Sequence, residues 1–526
     1  MPNESNVNAP ASRDCRLGHK GFVACVSLVA FLLQWLATSP KWLVHVNWDA
    51  ASYLHQIAAG NLRWSSPTWT AHAGLQYLYL GACGLARLLG GTCADGFRLL
   101  AGVFFAASAA ALAHTALALL RSRIFAALVA AFWATAFGTQ FLTFTLEDNI
   151  VFIFPGVLLL CLFALRLNDW RVRDSFFAGL LAAAAVLLSL QGVLYACLPF
   201  FFALLVPRQA RLPRRVLDGV AAAAGLVLGI AGFVVFFLAV SSLPWRQSLA
   251  HLAARPTSTF PQTGAALAAQ VLDMRASLRT IGIATSLHVF QNRRPWDAPS
   301  FLVGTGALVL LVQVVIVAAA ALWARRARLW DAFFFAVAFL GMTVLTSLYR
   351  DVEYAYLKRT DFVPLFVALL LVSFLKVASL STRGQRLVAA MVGLVIFGQL
   401  GSGLVWRAHE AATHQTLDAA VLGRAVPGYH GVPAKGSFLR NFRDLRAANP
   451  GACAFVFDFP EVQHGRWNPD LTGSIWSELP RHYVLVAPAE MSRWPRRLEA
   501  LDPGQAQSRL SGCEWLSEAA KKRLGR

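Results

Sequence analysis

Hydrophobic residues occur along this chain in blocks of about 20, the length at which a helix crosses the hydrocarbon core of a bilayer. Short polar segments separate the blocks. The first block runs from Gly21 to Ser39, and the others occupy 97–120, 124–145, 150–167, 175–190, 192–206, 216–240, 300–324, 331–349, 362–380 and 387–405. The pattern predicts an all-α polytopic membrane protein with about 11 transmembrane helices.

The polar segments predict how these helices are oriented. Basic residues fall on alternate segments, whereas the intervening turns 146–149 and 189–192 contain no Lys or Arg. Cytoplasmic loops carry an excess of Lys and Arg, so residues 1–20 are expected in the cytoplasm and the C-terminus in the periplasm of a bacterial inner membrane. The basic positions are Arg121, Arg123, Arg171, Arg173, Arg208, Arg211, Arg214, Arg215, Arg325, Arg326, Arg328, Arg383 and Arg386.

One segment would break this alternation if it crossed the bilayer. It extends from Gln76 to Leu89 and contains Tyr77, Tyr79 and Arg87. We therefore expect an amphipathic helix lying on the membrane surface, with a second one at 50–60.

The resulting organisation is a transmembrane module at 21–405 with outer loops at 40–96 and 241–299. The tail, 406–526, is richer in Pro and charge and contains two strand-like runs, 454–459 and 483–487. These features predict a small C-terminal α/β domain in the periplasm.

Composition agrees with a membrane protein, at 57% hydrophobic residues, 14% charged residues and mean hydropathy +0.54. The net charge of +20 is accounted for by the basic inner loops, so we expect no nucleic acid partner. Cys83 and Cys93 share the first outer loop, and Cys453 and Cys513 share the tail. Both pairs are candidate disulfides in an oxidising compartment.

Charged residues that suggest chemistry collect on the predicted outer side. Asp49 follows the first span, Glu147 and Asp148 form an adjacent pair in a short turn, and 350–361 mixes acids, bases and tyrosines. A charge beside the bilayer is costly unless it is used, which makes Asp49 a functional candidate. Basic residues on this side oppose the positive-inside bias, and an anionic ligand such as a lipid phosphate would explain them.

Plainer roles remain open for each group. Asp49 would cap a helix that begins at Ala50. The pair Glu147 and Asp148 would simply be solvated, and Lys358 with Arg359 would anchor lipid headgroups.

The run after the first span contains Trp48-Asp49, then Tyr53, Ile57-Ala58 and Gly60. Together with a second acidic motif in the next outer turn and an outer C-terminal domain, it resembles the C-type (GT-C) integral-membrane glycosyltransferases. The short spans around 189–192 are similar to the paired fifth and sixth helices of the protein O-mannosyltransferase and aminoarabinose-transferase branches.

The resemblance implies an inverting transfer of a sugar from a polyprenyl-phosphate-linked donor to a lipid, glycan or protein acceptor. Asp49 would be the general base, and Glu147 or Asp148 would orient the acceptor or the sugar. The implied substrate-binding residues are Tyr53, His55, Arg350, Glu353, Tyr356, Lys358 and Arg359.

The chain departs from the family pattern at two positions. Asp49 is followed by Ala50 where many relatives have Asp-Glu, and the second motif is Glu147-Asp148-Asn149 in place of Asp-x-Asp. The sequence indicates no particular cofactor, and a requirement for a divalent metal stays open. Two other functions stay open, a transporter or flippase, and a glycan polymerase or ligase that uses the basic loop 241–299.

Overall fold

The computed structural model describes residues 13–38, 57, 63–64, 73–136, 139–140, 149–167, 169–189, 192–205, 212–242, 244–247, 315, 317–326, 329–347, 365–373, 375, 382–413, 454–457, 483–485 and 498–501.

Helices dominate the described residues. They are α1 Arg13–Ala37, α2 Ala73–Leu88, α3 Cys93–Leu120, α4 Arg123–Thr135, α5 Asn149–Arg166, α6 Val172–Leu188, α7 Val193–Ala196, α8 Leu198–Leu205, α9 Leu212–Val240, α10 Trp330–Ser347 and α11 Thr382–Thr413. Among described residues, three helical segments are long and apolar enough to cross a membrane, Gly18–Ala37, Cys93–Leu120 and Leu212–Val240. The chain is a helical membrane protein, and the number of its spans stays a prediction.

The start of α3 differs from the sequence prediction, which placed it at residue 97. The helix begins at Cys93 because Thr92 and Asp95 form a capping box. The Thr92 hydroxyl accepts from the Asp95 amide at 3.2 Å, and the Thr92 amide donates to Asp95 Oδ2 at 3.0 Å. Two backbone donors are satisfied in this way, so the helix gains a turn beyond its apolar run.

Helices α1 and α3 run antiparallel. The last turn of α1 meets the first turns of α3, where Arg98 reaches Thr38. At the other end of the pair, His19 Nε2 near the start of α1 lies 3.0 Å from His114 Nδ1 near the end of α3. The direction is the one that the predicted alternation requires for consecutive spans.

Helices α6 and α9 run parallel and in close contact. Ser175 donates to Asp218 at 3.0 Å, and a Cβ atom on Gly179 or Gly225 would meet a backbone carbonyl oxygen of the other helix. Glycine permits this approach because it has no side chain that would hold the two helix backbones apart. The Ala-rich runs 182–185 and 221–224 lie in these helices, as their composition suggested.

Helix α5 runs parallel to α3, because Phe104 meets Phe154 edge-to-face at 5.3 Å and, further along both helices, Thr115 lies beside Cys161. Helix α10 begins at the far end of α5, where Phe334 contacts Phe163 and Phe202 at 5.3 and 5.1 Å. Helices α3 and α5 therefore have the same direction, and the short helix α4 separates them in sequence.

Helix α2 lies across one end of the other helices. A Cβ atom on Gly74 would be 2.8 Å from the Leu187 carbonyl oxygen, near the C-terminus of α6. Tyr77 contacts Phe236 near the C-terminus of α9, and Tyr79 stacks on Phe97 near the N-terminus of α3. These contacts all lie near one end of the partner helices, and the position of α2 on the membrane surface stays a prediction.

The tail contains a three-stranded sheet in the order β2-β1-β3. Its strands are β1 Ala454–Phe457, β2 Tyr483–Leu485 and β3 Leu498–Leu501. Strand β1 pairs in parallel with β2 and antiparallel with β3. The two strand-like runs of the sequence thus form β1 and β2, while the complete α/β domain at 406–526 remains a prediction.

The chain divides into two compact units. Unit 1 comprises Met1–Val44 and Leu62–His409, and unit 2 comprises His45–Asn61 and Glu410–Arg526. Helix α11 extends to Thr413, beyond the predicted end of its span at 405.

Candidate functional site

The residues to which the sequence assigned a role lie outside the described residues. Of the motif run 48–60, only Ile57 is described, and it is buried. The catalytic and substrate-binding candidates that remain predictions are Asp49, Glu147, Asp148, Tyr53, His55, Arg350, Glu353, Tyr356, Lys358 and Arg359.

The structure does describe the helix ends from which two of these segments emerge. Because α3 is antiparallel to α1 and parallel to α5, the C-terminus of α1 and the N-termini of α3 and α5 lie at one end of unit 1. We call this the upper end, marked by Thr38, Thr92 and Asn149. The chain leaves α1 at Thr38 on the way to Asp49, and Asp148 directly precedes α5.

A buried arginine joins two helices at the upper end. Arg98 is 5% exposed and forms an ion pair with Asp95 at 3.0 Å. It also donates to the Trp35 carbonyl oxygen at 3.0 Å and to Thr38 at 3.4 Å, and its guanidinium lies 4.1 Å from the Trp35 ring centroid. The last turn of α1 is thereby held against the first turns of α3, just before the segment that carries Asp49.

Sequence reasoning missed this arginine. The signal that could have found it is the capping pattern Thr92-x-x-Asp95, followed by Arg98 three positions later, where it faces Asp95. A basic residue inside a helix that crosses a bilayer needs a partner, and its partners here come from two helices.

Arg98→Met is expected to lower the free energy of unfolding by about 2–4 kcal/mol, because it removes the ion-pair partner of Asp95 and the donor to the Trp35 carbonyl oxygen. The matched control is Arg166→Met, which removes an exposed ion pair of 3.6 Å to Asp169 and should cost about 0–1 kcal/mol. Unfolding in detergent, monitored by circular dichroism, measures both. Equal losses in the two variants would contradict the structural role of Arg98.

Helix α2 is fastened to the start of α3. Cys83 and Cys93 form a disulfide, which confirms one of the two pairs predicted from the sequence. The second pair, Cys453 and Cys513, lies outside the described residues. A cross-link between the C-terminal part of α2 and the first residue of α3 keeps α2 at the upper end.

The buried face of α2 presents polar groups. Gln76 is fully buried and Tyr77 is 6% exposed, beside Trp64, Phe233 and Phe236. Burial raises the pKa of Tyr77 to about 12. The phenol therefore keeps its proton at neutral pH and can donate a hydrogen bond.

A different polar cluster lies at the opposite end of unit 1. Trp170 donates to Ser175 at 2.7 Å, Ser175 donates to Asp218, and Arg214 lies 3.6 Å from Asp218. Arg215 and Asp218 help to line a small cavity there. Because Asp218 is paired with both a hydroxyl and a guanidinium, we assign this cluster to the packing of α6 against α9.

The described residues contain no group of three or more His, Cys, Asp or Glu side chains placed to hold a metal ion. Neither Asp49 nor the pair Glu147 and Asp148 belongs to the residues searched.

No protein-family model matches the chain, and no curated protein matches it. Among solved structures, the chain is similar to the archaeal oligosaccharyltransferase AglB from Archaeoglobus fulgidus in complex with an inhibitory peptide and a dolichol-phosphate. The identity is 14% and the TM-score 0.46, over 81% of this chain and 61% of that chain. The chain is also similar to the arabinofuranosyltransferase AftD from Mycobacteria, with 16% identity and a TM-score of 0.38, over 83% of this chain and 29% of that chain.

Both neighbours are C-type membrane glycosyltransferases, the class that the sequence resembles. The chain spans less than two thirds of the length of either one.

Proposed function

We propose that this protein is a membrane glycosyltransferase that moves a sugar from a polyprenyl-phosphate-linked donor to a lipid, glycan or protein acceptor on the periplasmic face. One observation carries the proposal. The chain segments that lead to Asp49 and from Asp148 leave the helices of unit 1 at the same end, the upper end, at Thr38 and Asn149. The end of α1 and the start of α5 therefore lie on one side of the membrane, which supports the common outer side that the sequence predicts for the segments next to them.

For this sugar transfer, the protein has to position the donor and the acceptor and to accept one proton. An acceptor hydroxyl attacks the anomeric carbon of the sugar, the bond from that carbon to the phosphate oxygen breaks, and polyprenyl phosphate leaves. Asp49 takes the hydroxyl proton as the new bond forms. Attack from the side opposite the phosphate inverts the anomeric centre.

The remaining candidates have supporting roles. Arg350, Lys358 and Arg359 would hold the phosphate and offset the negative charge that grows on it during bond breaking. Glu147 or Asp148 would orient the acceptor or the sugar hydroxyls. Tyr53, His55, Glu353 and Tyr356 would complete the substrate contacts.

A transporter is less consistent with the described helices. Transporters place ionisable residues near the bilayer midplane, often on broken helices. In the described apolar helices, acidic and basic residues lie within about two turns of the helix ends, as Arg98 and Asp218 do in α3 and α9. This distribution favours chemistry at a membrane surface over passage through the middle.

The direct test is transfer by the purified chain in lipid nanodiscs, supplied with polyprenyl phosphate esters of mannose, glucose and arabinose. Release of polyprenyl phosphate, measured by mass spectrometry in the presence of membrane extract as acceptor, is the expected result for at least one ester. Movement of an ester between leaflets without cleavage would support the flippase alternative. Extension of a lipid-linked glycan chain would support the polymerase alternative.

Replacing Lys358 and Arg359 together with Ala is expected to raise the donor KM by roughly 10- to 150-fold, because charge-assisted contacts to the phosphate are lost. The control is Arg325→Ala with Arg326→Ala, two exposed basic residues on a segment predicted to face the cytoplasm. Donor titrations of both double variants give the comparison. An unchanged KM in the first would assign Lys358 and Arg359 to headgroup anchoring.

A further inference from the structure

Two consecutive residues of α2 carry buried polar atoms without a partner. Both amide atoms of Gln76 and the hydroxyl of Tyr77 lack a hydrogen bond within the part of the chain that the structure describes. Buried polar groups in proteins are almost always paired, so each exception calls for an explanation. Three such atoms on neighbouring residues point to a polar ligand that supplies the missing partners.

The setting of these atoms is aromatic and close to the surface. The Tyr77 ring lies 5.6 Å from the Trp64 ring and 5.1 Å from the Phe236 ring, measured between centroids. Trp64 is 48% exposed. Tyr77 therefore lies at the upper end of unit 1 beside a partly exposed tryptophan, and Gln76 directly precedes it in α2.

The chemistry of the unpaired atoms selects the kind of ligand. The Gln76 amide offers both a donor and an acceptor, and the Tyr77 hydroxyl offers a donor. Arg87, the basic residue of α2, is exposed and lies ten positions after Tyr77 along the helix. Uncharged groups that both donate and accept, beside aromatic rings, match the hydroxyls and the apolar C–H face of a sugar better than a phosphate.

The other buried amide without a partner among the described residues, that of Gln34, does not share this setting. The Gln34 side chain faces Gly102, where a Cβ atom would lie 2.6 Å from Gln34 Oε1. It is fully buried between α1 and α3.

We infer that Gln76 and Tyr77 form a subsite for the sugar ring of the donor, in which the amide and the phenol bind sugar hydroxyls and Trp64 covers the ring. The inference rests on the proposed function, since it assigns the sugar half of the same donor whose phosphate the basic segment 350–361 would bind. It also gives α2 a role in choosing which sugar is transferred.

The test compares Tyr77→Phe and Gln76→Leu with the wild-type chain in nanodiscs. The probes are polyprenyl monophosphate and the polyprenyl phosphate esters of mannose, glucose and arabinose. Wild type is expected to bind one ester more tightly than the bare phosphate. Each variant should bind the bare phosphate as wild type does and lose on the order of 10-fold in affinity for that ester.

The unfolding temperature of each variant distinguishes a loss of ligand affinity from a loss of folded protein. Because the removed atoms have no partner in the protein, both variants should unfold at the same temperature as wild type or at a higher one. The matched control is Tyr79→Phe, two residues along α2, where the ring stacks on Phe97 at 3.9 Å. It should leave the affinity for the ester unchanged.

The outcomes are distinct. Variants that keep the full preference for the ester, or a wild type that binds the ester and the bare phosphate equally, would overturn the sugar subsite while leaving glycosyl transfer intact. A wild type that neither binds nor cleaves any of the esters would overturn the proposed function itself. A parallel loss of affinity for the bare phosphate would reassign Gln76 and Tyr77 to the phosphate.

Discussion

Asp49→Asn is expected to reduce turnover by roughly 10²- to 10⁴-fold, the usual range for the loss of a general base. Asn has nearly the same size as Asp and ranks beside it as a helix cap, so a capping role would survive the substitution. Expression and thermal stability should therefore stay at the wild-type level. Turnover is measured as release of polyprenyl phosphate from the donor ester that wild type cleaves.

The control for this prediction is Glu147→Gln, with Asp148→Asn beside it. If these residues orient a substrate without taking the proton, each should impair transfer less than Asp49→Asn does. Full activity in Asp49→Asn would contradict the proposed mechanism. It would favour the polymerase or ligase alternative, which uses the basic loop 241–299. A larger loss in Glu147→Gln would exchange the two roles.

Gly225→Val is expected to abolish the packing of α6 against α9 and with it most of the folded protein. A Cβ atom at this position would collide with the Phe176 carbonyl oxygen, which belongs to the backbone of α6 and cannot move aside alone. Overpacking of a tight contact typically costs about 1–3 kcal/mol, and a clash with backbone costs more. Size-exclusion chromatography of a fluorescent fusion measures the folded fraction.

Gly232→Val is the matched control on the same helix. A Cβ atom there meets nothing within 4 Å, so the same substitution should leave the folded fraction unchanged. If Gly225→Val folded as well as Gly232→Val, the close parallel contact between α6 and α9 would be wrong.

Several features of the fold follow from sequence pattern alone. The apolar blocks coincide with helices such as α3, α5, α6 and α9, and the parallel and antiparallel contacts agree with the alternation of basic segments. Cys83 and Cys93 form the expected disulfide. These predictions depend on local regularities, namely span length, charge placement and the sharing of a loop by two cysteines, so one sequence is enough to make them.

Less of the candidate site than of the fold can be predicted from the sequence. The pattern of charges at Asp49, Glu147, Asp148 and 350–361 is visible in the sequence, and their roles remain predictions. Arg98 was missed because its significance lies in Trp35 and Thr38, about 60 residues away in the chain, as well as in its neighbour Asp95. No sequence window contains all of these partners.

The sequence by itself determined the class of this protein, a helical membrane protein, since apolar length and the distribution of arginine follow directly from the bilayer as solvent. It also predicts that α2 lies on the membrane surface, outside the alternation of spans. Only the tertiary structure decided which polar residues have partners. Arg98 is satisfied by two helices, whereas Gln76 and Tyr77 are buried without partners among the described residues. Hydrogen bonding between distant segments depends on how the helices pack, and that packing is a property of the folded chain as a whole.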